Sequence, residues 1–178
     1  MKKPLILALL LACAATASAA EDLVLNGSGL RTKLILGTMY KLSLYVPEAL
    51  KGADAKTLIE ASQPMEFTLA IQSGLITRER FVETTSGGFA KAAQSGYTSD
   101  QTQAFLGQFA ATEFKKGDTV VMRYGPGGLS TFYRKQADGS ETKLGTIAGL
   151  DLKKALFAIW LGDTPAQASL KQALLGTP

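Results

Sequence analysis

The chain contains no histidine, and its one cysteine is Cys13. Histidine-based zinc sites, Ser-His-Asp triads and Cys-His pairs are excluded on that ground. Any chemistry falls to Arg, Lys, Tyr, Ser, Thr, Asp or Glu. The carboxylates are scattered, and no two stand out as an acid/base couple. Gly127-Gly128 resembles a phosphate loop only superficially, because it lies between two expected strands with no helix after it. Neither a metal nor a cofactor is expected. By type and spacing alone no Arg, Lys or Tyr stands out; Arg31 and Tyr40, with Lys33 as a reserve cation on the Arg31 face, matter through a resemblance that their strands carry. A guanidinium is always charged and grips a carboxylate through two parallel hydrogen bonds. A phenol adds a donor on an otherwise apolar ring. At the mouth of an apolar cleft such a pair would orient an apolar acid. A plainer role also fits: Arg31 pairs with a nearby Asp or Glu, and Tyr40 packs.

These residues must be held by strands. Leu23 to Leu25 reads as a short strand ended by Asn26-Gly27-Ser28-Gly29. Leu30 to Leu36 and Met39 to Val46 read as a hairpin around Gly37-Thr38, a two-residue turn that suits a leading glycine. That register sets Ile35 opposite Tyr40. Arg31 then lies four residues away, about 13 Å along the strand. Arg31 and Tyr40 could meet one carboxylate only if a bulge or a bent turn drew them together.

Ala53 to Ala61 reads as a short helix, and Met65 to Gln72 as an alternating strand. Thr77 caps a helix with Phe81, Thr85, Phe89 and Ala92 on one side. Gly87-Gly88 interrupts it, which fits close packing by a neighbour better than a hinge. Ser99 or Asp100 caps a second helix through Ala111. Strands follow at Asp118 to Tyr124, Leu129 to Lys135 and Thr142 to Ile147. Asp151 starts a helix that Gly162 ends in a left-handed conformation. Thr164 and Pro165 start the last helix. Phe81, Phe89, Phe105, Phe109, Phe157 and Trp160 fall at helical spacing and are assigned to the core. The fold class is α+β: a largely antiparallel sheet with helices on one side.

Residues 1–20 have the layout of a secretory signal. Lys2 and Lys3 precede the apolar run Leu5 to Ala12, and small residues at 17–20 allow cleavage after Ala19 or Ala20. A lipoprotein box at Leu10-Leu11-Ala12-Cys13 is the weaker alternative. The expected destination is the periplasm, with residues 21–178 forming one domain. The exported chain would hold 17 Lys and Arg against 15 Asp and Glu, too even a balance to favour nucleic acid or an anionic membrane surface. Beyond the leader no segment is long and apolar enough to span a bilayer.

Two segments resemble the chalcone isomerase-like family. The first is Gly27-Ser28-Gly29-Leu30-Arg31 with Met39 to Val46. The second is Lys154 to Pro165, around Trp160-Leu161-Gly162-Asp163, extended through Leu170 to Gly176. The resemblance implies an open-faced β-sandwich with a ligand cleft between sheet and helices. In the plant isomerases of that family an Arg on the second strand polarises the substrate during ring closure. In non-catalytic members that Arg and a Tyr on the next strand hold a fatty-acid carboxylate. Those positions match Arg31 and Tyr40. The isomerases also use a Tyr, a Lys and an Asn at the start of the middle helix, where this chain has Ile76, Glu79 and Glu83. The implied function is binding of a small apolar carboxylate such as a fatty acid. Two alternatives stay open: a lyase or isomerase acting on an enone-like, chalcone-type substrate, and an envelope scaffold without ligand.

Overall fold

The computed structural model describes residues 22–176. The expected leader, its expected cleavage sites and Cys13 lie outside them. Six strands form one antiparallel sheet: β1 (Leu23–Lys33), β2 (Gly37–Pro47), β3 (Met65–Ile71), β4 (Thr119–Gly125), β5 (Gly128–Arg134) and β6 (Glu141–Ile147). Their order in space is their order in sequence. Five helices complete the α+β fold: α1 (Ala55–Glu60), α2 (Arg78–Gln94), α3 (Thr102–Gly107), α4 (Asp151–Leu161) and α5 (Ala168–Leu174). Strand alternation divides the sheet into two faces. Leu42, Leu44, Phe67, Leu69, Val120 and Met122 are buried on the face that carries the helices. Lys41 and Arg123 point to the other face, where Arg123 pairs with Glu66.

Helix α4 is the central packing element. From Leu152 to Leu161 all but Lys154 are buried. Its Phe157 and Trp160 rings lie 4.5 and 5.1 Å from Phe67 of β3. Helix α2 packs on it at Gly88 and meets α3 through Phe89, whose ring lies 5.9 Å from that of Phe105. A Cβ at Gly88 would stand 2.8 Å from Ile159, so a close neighbour explains that glycine. Gly87 faces open space, and its glycine has no such reason. The aromatic residues assigned to the core are buried there.

Several elements differ from the sequence reading. Asn26-Gly27-Ser28-Gly29 does not end a strand but runs inside β1, with Asn26 bulged out of register. Gly27 and Gly29 are there because α5 lies on them. A Cβ at Gly27 would collide with the backbone carbonyls of Ala173 and Leu174, and one at Gly29 would stand 2.7 Å from the Ala173 side chain. The hairpin turn is Leu34-Ile35-Leu36 rather than Gly37-Thr38. Gly37, with φ of 72°, closes that turn from its last position. Helix α3 is shorter than expected, and Gln101 stands at its cap position. Gly162 has φ of −68°, outside the left-handed region. Its missing side chain instead clears the Ala158 carbonyl, 2.5 Å from where a Cβ would sit. The last helix starts later than Pro165, with Gln167 at its cap.

Candidate ligand-binding site

The Gly-x-Gly-x-Arg segment has a simple geometry. Residues 27, 29 and 31 share one face of β1, the face that carries α5. The two glycines let the helix touch the strand, and Arg31 stands just past the helix's first residue. Its Nη1 donates to the Gln167 side-chain carbonyl at 2.9 Å and to the Thr32 backbone carbonyl at 2.8 Å. Gln167 is itself fastened to the strand. Its Oε1 accepts from Thr32 N–H at 3.0 Å, and its Nε2 donates to Leu30 C=O and to Ser169 Oγ. No described carboxylate forms a salt bridge with Arg31.

Tyr40 is the direct cross-strand partner of Arg31. The wider turn and a bulge at Met39 supply the correction that the two-residue turn lacked, so the two side chains stand at the same level of the sheet. Tyr40 Oη accepts a hydrogen bond from Trp160 Nε1 at 2.9 Å. Its own proton has no acceptor among the described residues and is free to be donated. Burial raises the Tyr40 pKa, while the Trp160 bond and the Arg31 charge pull the other way. The net rise keeps the phenol protonated at neutral pH. Lys33 lies two rungs farther out, opposite Gly37, and is exposed. The hairpin therefore unites Arg31 and Tyr40 and leaves Lys33 apart.

Sequence reasoning missed Gln167 and the indole of Trp160 as members of this arrangement. Gln167 carried no signal, because the sequence reading started the last helix at Thr164 and Pro165 and left Gln167 inside it. Trp160 was assigned to the core, which is correct, but its N–H requires a partner when buried and could have pointed to Tyr40. Of the positions matching the isomerases' helix residues, Ile76 is buried and Glu79 is an exposed partner of Arg78.

A half-open cleft of about 260 Å³ lies elsewhere, between α2, α3 and α4, lined in part by Ser86, Phe89, Tyr97, Thr102, Leu106 and Ala155. Arg31 and Tyr40 do not line it. A second polar feature is Lys153, fully buried, whose ammonium donates to the carbonyls of Leu58, Ile59 and Ala61 at 2.6–2.9 Å. It closes the end of α1 and lies 4.5 Å from the Phe157 ring. Tyr133 donates to Asp118 at 2.7 Å and ties the loop before β4 to β5.

The chalcone isomerase-like family model matches residues 12–176. The chain belongs to the chalcone isomerase-like family. The crystal structure of a fatty-acid binding protein from Arabidopsis thaliana has the same fold as this family member. The TM-score is 0.65 at 21% identity, over 89% of each chain. No curated protein sequence matches. The six-stranded antiparallel sheet with its covering helices agrees with the fold that the resemblance implied.

Proposed function

We propose that the protein binds a small apolar carboxylate, such as a fatty acid, in the periplasm and does not transform it. One observation carries this reading. Arg31 and Tyr40 stand opposite each other with, among the described residues, a guanidinium unpaired to any acid and a phenol proton unspent. In this reading one carboxylate accepts from both. Gln167 and Trp160 keep the two donors in place before a ligand arrives, which lowers the ordering cost of binding. The likeness to a protein described as fatty-acid binding supports the choice of ligand. In this reading the acyl chain enters by lifting α5, which is seven residues long, from the glycines of β1. Each buried CH₂ then contributes about 0.8 kcal/mol.

Organic extraction and native mass spectrometry of the purified protein test for a co-purified acid. Titration with oleate follows, reported by the single tryptophan, Trp160, which touches Tyr40. Arg31→Ala is expected to weaken oleate binding by about 10- to 100-fold, the worth of a charge-assisted hydrogen bond or two. Tyr40→Phe is expected to weaken it by about 10-fold. Equal oleate affinity in wild type and Arg31→Ala, with no acid recovered on extraction, rules the reading out.

A further inference from the structure

The turn joining β1 to β2 is unusual for a surface loop. Its residues are Leu34, Ile35 and Leu36, and the first two are essentially fully exposed, at 103% and 92%. Leu30 and Leu75 are exposed as well, at 48% and 40%. The last rungs of the hairpin, Thr32↔Thr38 and Lys33↔Gly37, have no third strand beside them, because β3 pairs with β2 only from Tyr40 onward. The tip therefore projects past the sheet as a two-stranded finger.

The same end of the sheet collects the loop after β3, which carries Leu75, and the loop before β4. Gly117 N–H donates to Ile71 C=O, which fixes that second loop beside the end of β3. Lys33 and Lys116, on these segments, and Arg80, at the start of α2, make no salt bridge with any described carboxylate. Arg78 and Lys115 lie there too, paired with Glu79 and Glu113. An apolar finger flanked by unpaired cations has the two features that reversible attachment to an anionic bilayer requires: side chains that enter the hydrocarbon boundary and charges that meet the headgroups.

We propose that the Leu34-Ile35-Leu36 finger docks the protein on an anionic lipid surface. Leu34 and Ile35 enter the bilayer, while Lys33 and Lys116 lie at the headgroups. Arg31 and Tyr40 then sit just inside the finger, two rungs from the tip. On the ligand reading above, a fatty acid leaving that leaflet passes Lys33 and reaches Arg31 and Tyr40 two rungs farther in. Docking itself does not depend on the ligand reading, because it rests on exposure and charge alone.

Flotation with vesicles separates the two ideas. The chain from Glu21 onward contains every strand and helix described and lacks the apolar leader, which would itself seek lipid. It is expected to float with phosphatidylglycerol vesicles in low salt and much less with phosphatidylcholine vesicles. The double variant Leu34→Ser/Ile35→Ser is expected to lose about 100-fold in partitioning, from the apolar area withdrawn. Lys33→Glu is expected to lose about 10-fold on phosphatidylglycerol alone. All three substitutions lie on exposed positions, and an unchanged thermal midpoint verifies folding. Arg31→Ala is expected to float like wild type, so failure of the ligand reading leaves this result intact. Absence of flotation by the wild type overturns the proposal. So does equal flotation of the double variant. A concentration-dependent dimer that the double variant abolishes, without vesicle binding, would assign the finger to a second copy of the chain instead.

Discussion

Replacing Gly27 with alanine tests how the strand and helix α5 were made to fit. The added methyl group meets the Ala173 carbonyl oxygen and stands 2.6 Å from the Leu174 oxygen. These are backbone atoms that no rotamer change can move aside, and ordinary contact needs about 3.5 Å or more. The helix has to retreat by about 1 Å or more. It is held by Leu170 and Leu174, 1% and 0% exposed, and by Asn26 Nδ2 donating to the Leu174 carbonyl at 2.7 Å. Losing roughly half the burial of two leucines costs about 2 kcal/mol, and the hydrogen bond about 1 more. The expected destabilisation is thus about 3 kcal/mol. In Gly29→Ala the nearest atom, the Ala173 Cβ, is as fixed as backbone, but at 2.7 Å the overlap is smaller than at Gly27, so the cost is expected to be less. Gly87→Ala, in the open on α2, is expected to stabilise by about 0.5–1 kcal/mol. Urea denaturation followed by Trp160 fluorescence ranks the three. If Gly27→Ala unfolds at the same urea concentration as wild type, the packing argument fails, and with it the account of the Gly-x-Gly-x-Arg spacing.

Two further outcomes follow from the buried polar groups. Tyr133→Phe deprives Asp118, 5% exposed, of its side-chain donor and is expected to cost about 2 kcal/mol. A calorimetric midpoint within a degree of wild type would contradict that. Burial pushes the Lys153 ammonium down from its ordinary value of 10.5 to about 7; Lys154 adds to this and Glu60 opposes it. Between those two pH values the folded chain holds fewer protons than the unfolded chain. Stability is therefore expected to rise with pH across that window, with the penalty fully present below about 7. Urea midpoints measured across the window should climb in wild type and stay flatter in Lys153→Met, and parallel curves would refute this.

Most of the fold was legible because it rests on strong periodicity. The alternation Met65 to Ile71 and the spacing Phe81, Thr85, Phe89 correspond to buried faces in the structure. What failed was local and involved glycine. Asn26 to Gly29 looks like a turn because nothing in those residues reveals that a helix 140 positions later will need the space. The run Leu30 to Leu36 looks like a strand because apolar residues normally seek burial. Its last three residues sit in the turn instead, fully or half exposed. That error displaced the register and set Arg31 and Tyr40 far apart. The bulge that unites them is invisible in composition. Lys153 carried no signal beside Lys154, and it is buried with its ammonium on three carbonyls at the end of α1.

The amide of Gln167 has a further consequence. By accepting from Thr32 N–H and donating to Leu30 C=O, it occupies the outer rim of the sheet much as a short extra strand would. An unpaired rim is a template on which another chain can polymerise. One side chain, clasped across two peptide groups, denies that template at the point where the apolar finger begins. Gln167→Ala is expected to leave that stretch of the border open, and light scattering would then show faster aggregation than in wild type.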